Sequence, residues 1–242
     1  MFARPPFSQA KAHQAINPAA VHSNFRLISC QRNASAVISK DFSDLARIYE
    51  QGVNLCLIER CLSNTEQTFV ADVLSQHYTI ELSILLNPKR YDFNSLWPQA
   101  AHLSGYSAWL GDVAHLTTAF CELFDRQQVG LRLRTLDKAM CPRFHVDRVP
   151  VRMVCSYGGL GTEWLPEHAV DRTRLGMGNG GLPDYSSGLI TASTEMQTMP
   201  AYAVALMKGE LWEGNENQGL VHRSPSPTEQ QPRRLLLTLD ML

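Results

Sequence analysis

The apolar residues of this chain change period after Gln128, and that change limits the possible folds more than any other feature of the sequence. Val129, Leu131 and Leu133 alternate with Gly130, Arg132 and Arg134, the two-residue period of a strand with one buried face. Val149, Val151, Met153, Cys155 and Tyr157 repeat it and run into the turn Gly158-Gly159. Ala201 to Met207, Gly219 to His222 and Arg233 to Leu239 read as further strands. Before Gln128 the spacing is mixed. Asn54 to Ile58 and Thr79 to Leu86 predict short strands, and Ser63-Asn-Thr-Glu66 has the form of a capping box. That box opens a helix through Phe69, Val70, Val73 and Leu74. From Ser95 to Arg126 the spacing of Leu96, Ala100, Leu103, Trp109, Val113, Leu116, Phe120 and Phe124 predicts one or two amphipathic helices, with a break at Ser104-Gly105-Tyr106. Helices early and strands late describe an α+β protein, with an antiparallel sandwich or barrel carrying the helices outside. Residues 1–25, rich in Pro, Ala, Ser and Asn, read as a flexible N-terminal arm. Residues 26–242 read as a single domain, with 26–128 a mixed α/β part and 129–242 the β core.

A chain of 242 residues buries enough surface to fold without disulfides. Its six cysteines are scattered with no CxxC pair, as expected of reduced, mostly buried thiols. The net charge of −1 gives no electrostatic reason to expect nucleic acid or an anionic membrane as partner. No apolar run approaches the ~20 residues of a membrane span, and the N-terminus lacks the apolar core of a secretory signal. The cytoplasm is the expected compartment, and a small molecule or another protein the expected kind of substrate.

Chemistry concentrates in Phe144-His145-Val146-Asp147. Residues i and i+2 of an extended segment project on one face, with backbone positions about 7 Å apart. His145 and Asp147 can therefore both point at one ion. His222, in Gly219-Leu-Val-His222-Arg-Ser-Pro, is the best source of a third ligand. Two histidines and a carboxylate on one face of an octahedron leave three positions open, the donor set of non-haem Fe(II) oxygenases. The same donors with a water suit zinc. Arg233 and Arg234, at the start of the last strand, offer planar guanidinium groups for a carboxylate. The plain alternatives are a hydrogen-bonded strand pair for His145 and Asp147, a loop histidine at 222, and surface charge at 233 and 234.

Other polar residues have plainer readings. Cys141 and Cys155 read as small buried hydrophobes, or as a thiolate completing a zinc site. His168 and Asp171 read as decoration of a short helix, and Lys208-Gly-Glu210 as a turn. Tyr157, Trp164 and Trp212 are strand aromatics able to line a pocket. Arg132 and Arg134 form a basic strand face, either solvated or turned to an anionic substrate.

An HxD followed far downstream by a strand-borne His and then Arg resembles the 2-oxoglutarate/Fe(II) oxygenase superfamily, with the phytanoyl-CoA hydroxylase branch the nearest comparison for His222 to Arg233. That resemblance implies a double-stranded β-helix (a cupin-like jelly roll) over residues 129–242, with the N-terminal helices packed on it. It also implies Fe(II) held by His145, Asp147 and His222, 2-oxoglutarate docked on Arg233 or Arg234, and the Gly-rich segment 172–195 acting as a lid. More closely, the chain is similar to the bacterial domain-of-unknown-function family 1826. The shared phrases are Cys141-Pro-Arg-Phe-His-Val-Asp147, Gly161-Thr-Glu-Trp-Leu165, Val221-His-Arg-Ser-Pro225 and Arg234-Leu-Leu-Leu-Thr-Leu-Asp240. The genes of that family tend to lie near zinc-homeostasis functions, which implies zinc as an alternative ion. A non-catalytic member of the fold is a further reading.

Overall fold

The computed structural model describes residues 35–192 and 195–241; the expected N-terminal arm, residues 1–25, lies outside the described residues. Among the described residues ten strands and two α-helices follow in chain order. They are β1 (Ser35–Ser39), β2 (Val53–Ile58), α1 (Asn64–Ser75), β3 (Glu81–Leu86), α2 (Tyr106–Leu123), β4 (Val129–Leu136) and β5 (Val151–Gly158), then β6 (Glu163–Leu165), β7 (Gln197–Thr198), β8 (Val204–Lys208), β9 (Val221–Arg223) and β10 (Arg234–Asp240). The protein is α+β. Seven strands form one sheet in the order β1-β2-β8-β5-β10-β4-β3, and β7-β6-β9 form a second. Among the described residues only the β1–β2 pair is parallel.

Gln128 marks a change of period but divides nothing in space. β3 pairs with β4, and β2 pairs with β8, so strands from both sides of that point build one sheet. The large sheet ends at β1 and β3 and does not close on itself.

α1 begins where its sequence says it should. Ser63 Oγ accepts from the Glu66 amide at 3.4 Å while Glu66 Oε2 accepts from the Ser63 amide at 2.8 Å, which satisfies two donors the first turn would leave bare. Ser63→Ala should therefore lower stability by about 1 kcal/mol, read as a shift in urea midpoint at constant slope. α2 buries Tyr106, Trp109, Leu110, Val113, Leu116 and Phe120, a stripe three and four residues apart. The sequence predicted helix from Ser95. The structure instead has two short 3-10 turns, Phe93–Ser95 and Pro98–Ala100, ahead of a single α-helix. Gly105 separates them at φ +83°, and a side chain there would collide with the Thr65 carbonyl of α1.

Alternation along the central strands assigns the two faces of the large sheet. Leu235, Leu237 and Leu239 of β10, with Met153, Cys155 and Tyr157 of β5, join the cluster under α1 and α2. Leu236, Val154, Met207 and Leu55 face the other way and join Trp164 of the small sheet. The strands are buried on both sides because both sides are covered. Among the described residues no helix is long and apolar enough to cross a membrane.

Candidate metal centre

The HxD segment is not part of a long strand. It is fastened to β9 by a single reciprocal pair, His145 N–H to His222 O and His222 N–H to His145 O, each 3.0 Å. Directly opposed residues of such a pair project on one face, and the two imidazoles stand with centroids 4.6 Å apart. Asp147 is held from below by the turn after β8. Its carbonyl accepts from the Glu210 amide at 2.9 Å, and Gly209 passes so close that a Cβ would overlap the carbonyls of Asp147 and Val149. Lys208 ends β8 and the turn begins only at Glu210 rather than over Lys208-Gly-Glu210, and Gly209 is needed for this approach.

Ligand atoms from His145, Asp147 and His222 lie within 4.8 Å of one another. His145 Nε2 is 3.6 Å from Asp147 Oδ1, and His222 Nε2 is 3.3 Å from Asp147 Oδ2. Each imidazole has its Nδ1 on a backbone carbonyl, that of Arg143 at 2.9 Å and that of Leu220 at 3.0 Å. A carbonyl only accepts, so both Nδ1 atoms carry the proton, and in the neutral rings both Nε2 lone pairs face the carboxylate. This is how ligating histidines are oriented around metals. Asp147 Oδ2 is buried and makes no hydrogen bond, an orphan that a cation would satisfy.

Arg152 on β5, which the sequence reading missed, sets the carboxylate. Its Nη1 donates to Asp147 Oδ1 at 2.7 Å and its Nη2 to Asp240 Oδ2 at 3.0 Å, while Arg132 donates to the same Asp240. Burial opposes the Asp147 charge, yet the two imidazoles, which donate from Nε2 only when protonated, and the charge of Arg152 outweigh it and hold the carboxyl well below the usual range. Burial also opposes charging His145, but Asp147 and the Arg143 carbonyl prevail and its pKa is raised. The signal for Arg152 and Asp240 was a polar residue on the period-two parity of an otherwise apolar strand.

The other expected site residues divide between the two faces. Arg234 lies on the same strand parity as Leu236 and is 5% exposed. Its Nη2 donates to Ser156 Oγ at 3.0 Å and Thr162 Oγ1 at 3.2 Å, while Nε and Nη1 have no partner. Thr162 also lines a cavity with His145, His222, Cys141, Leu236 and Thr238. Burial brings the Arg234 pKa down to about 10. Arg233 points the other way, where its Nη2 donates to the Tyr78 carbonyl at 2.9 Å, so of the two arginines only Arg234 bonds to a residue that lines the cavity, Thr162.

Tyr157 is also a correction to the expected pocket. Its hydroxyl donates to Asp112 of α2 at 2.6 Å, on the helix side. Trp212 stacks near Tyr49 and Phe124 with Lys208 over its ring, again away from the histidines. Trp164 does oppose His222, across the β6–β9 pair. Cys155 is buried beside Arg60 and Tyr202 at 3.6 Å, and burial pushes its thiol up to about 12, so it takes the plain reading. His168 lies near Glu195 and Asp171 caps a short 3-10 turn, as decoration. Arg134 faces Glu81 at 3.4 Å.

A family model described as "Protein of unknown function (DUF1826)" matches residues 39–240. No curated protein matches the chain. Among solved structures, a putative oxygenase from Shewanella oneidensis aligns at 9% identity and TM-score 0.45, covering 86% of this chain and 89% of that one. The dioxygenase for auxin oxidation 1 of Arabidopsis thaliana, in its 2-oxoglutarate complex, aligns at 10% and 0.41, covering 86% and 91%. A prolyl-4-hydroxylase of Pseudomonas putida aligns at 10% and 0.40, covering 82% and 96%. Likeness at these values decides neither reaction nor substrate.

Proposed function

We propose that this chain, which belongs to the DUF1826 family, is an Fe(II)- and 2-oxoglutarate-dependent oxygenase that hydroxylates a small molecule or a protein. The observation that supports the reading most is the pairing of two unsatisfied groups. Asp147 Oδ2 is an orphan acceptor beside two imidazole lone pairs, and Arg234 is a cation without a counter-ion that donates to Thr162 on the wall of the cavity the two histidines line. His145, Asp147 and His222 would hold the metal, and Arg234 would hold the far carboxylate of the keto acid. With both bound, the chemistry supplied is oxidative decarboxylation of 2-oxoglutarate coupled to oxygen insertion into a C–H bond. The chain's own part is orientation. Arg152 fixes the carboxylate, the carbonyls of Arg143 and Leu220 fix the two rings, and Val154, Met207 and Leu236 keep the cavity wall apolar. Two facing sheets with the site between them support an open form of the double-stranded β-helix as the fold. Free thiols at all five described cysteines suit a cytoplasmic setting.

The test is anaerobic loading with Fe(II), addition of 2-oxoglutarate and admission of air. A 2-oxoglutarate-dependent visible absorption and succinate formation are expected. Absence of both in iron-loaded protein rejects the reading.

Zinc is the second reading, favoured by Cys141, which lines the same cavity as the two histidines and offers a thiolate. Metal analysis of protein purified without added metal separates the two, provided iron and zinc compete under controlled conditions, since affinity alone favours zinc.

A further inference from the structure

We infer that residues 175–190 form a buttress behind the metal centre rather than a lid in front of it, and that Asp184 is the positioning residue that latches this buttress to both histidine-bearing segments. The inference rests on the metal reading given above.

The faces of the small sheet carry the first part. Side chains alternate along an extended segment, so Phe144 and Val146 point away from the side taken by His145 and Asp147, and Val221 points away from that of His222. On the inner side, Leu220 and Trp164 join the apolar cluster between the two sheets. On the outer side, Phe144, Val221 and Leu165 pack with Leu189, joined by Val146, Leu175 and Ile190. The Gly-rich segment therefore places its apolar residues against the reverse of the ligand-bearing backbone. A backbone bond from the Asp171 amide to the Leu189 carbonyl, 2.8 Å, ties the far end of the segment back to the chain just before it.

Apolar packing fixes the separation of two layers but not their register. Asp184 supplies the register. It is 6% exposed, although its neighbours Leu182 and Tyr185 are 50% and 85% exposed. Its Oδ2 accepts from the Phe144 amide at 2.8 Å and lies 3.6 Å from Arg223 Nη1, while its Oδ1 lies 3.6 Å from Arg143 Nε. Arg143 and Phe144 immediately precede His145, and Arg223 immediately follows His222. One carboxylate thus ties the segment to the chain on both sides of the centre. The Arg223 guanidinium also lies over the Phe144 ring at 4.4 Å and donates from Nε to Glu163 at 2.5 Å. The consequence for the ligands is direct, because the carbonyl of Arg143 orients the His145 ring through Nδ1. Loss of the latch frees the residue that aims a metal ligand.

The test compares Asp184→Ala and Asp184→Asn with wild type in two measurements. Hydrogen exchange of the metal-free proteins should rise in Asp184→Ala at residues 141–147 and 220–224 as well as at 176–190. Titration with Co(II) should show affinity weakened by about 10–100-fold and an altered ligand-field band, with most of the affinity returned by Asp184→Asn, which keeps an acceptor for the Phe144 amide. A merely structural carboxylate would lower the melting temperature and leave the Co(II) affinity and band of the folded protein alone. That result, or an exchange increase confined to 176–190, overturns the proposal. Should wild type bind no Co(II), the metal reading fails by itself, and the exchange comparison decides the buttress. Should Asp184→Ala not fold, the same comparisons are made with Asp184→Asn, for which a smaller rise is expected and no rise is a refutation.

Discussion

Asp147→Ala is expected to abolish metal binding and turnover together while leaving the protein folded. Two imidazole nitrogens remain in the variant, but the anionic ligand between them is gone. On the proposed reading a metal held here would supply several kcal/mol of barrier lowering, so turnover should fall about a thousandfold or more. The fold survives because Arg152 keeps Asp240 as counter-ion, and no buried charge is stranded. The sign of the pH dependence differs between metal-free and loaded protein. In metal-free wild type, the raised pKa of His145 means that its ion pair stabilises fully below the unfolded histidine value and is lost as pH rises through the folded one. Asp147, with its depressed pKa, is ionised across that whole window. Removing Asp147 should therefore cost more stability at pH 5 than at pH 8, measured by urea denaturation. In loaded wild type the proton on His145 competes with the ion, so metal affinity falls as pH is lowered through that raised value. Undiminished iron or cobalt binding by Asp147→Ala would place the ion elsewhere.

The site was legible where the sequence carried local signals and obscure where the signal was three-dimensional. His145 and Asp147 share a dipeptide spacing, and that spacing was enough to put both side chains on one face. His222 followed from being the histidine at the end of a strand-like run. The partner of that strand was not readable, because the pairing of His145 with His222 spans distant parts of the chain and rests on one reciprocal hydrogen-bonded pair. Arg233 and Arg234 show the limit of periodicity. Adjacent residues in extended chain point to opposite faces, so only the register of β10 decides which arginine turns toward Thr162 on the cavity wall, and a shift of one residue reverses the answer. Asp184 carried no local signal, being one acid in a Gly-rich loop. Its role appears only once Phe144 and Arg223 are brought beside it. Likewise the helix expected from Ser95 overlooked Pro98, while the expected break at Ser104-Gly105-Tyr106 is where α2 begins.

Arg234→Met should move stability and cosubstrate binding in opposite directions. A guanidinium that is buried without a counter-charge opposes folding. Its pKa of about 10 against an ordinary 12.5 corresponds to about 3 kcal/mol of unfavourable charge burial at neutral pH. Methionine fills comparable space without that charge. It also leaves the hydroxyls of Ser156 and Thr162 without their donor, a loss of about 1 kcal/mol. The net effect is a gain of about 1–2 kcal/mol, or a melting temperature higher by about 2–8 °C for a domain of this size. Against that, the variant has nothing to hold a distal carboxylate. Truncating one member of a buried, hydrogen-bonded charge pair costs at least about 2 kcal/mol, so 2-oxoglutarate should bind about 30-fold more weakly or worse. Binding is read from the 2-oxoglutarate-dependent visible band of iron-loaded protein, and stability from thermal melting of metal-free protein. A structural arginine gives the reverse pattern, with a lower melting temperature and unchanged 2-oxoglutarate affinity. A cation kept at a cost to stability, bonded to Thr162 on the wall of the cavity that His145 and His222 line, is what a fold would tolerate if an anion and a metal ion were to be bound side by side.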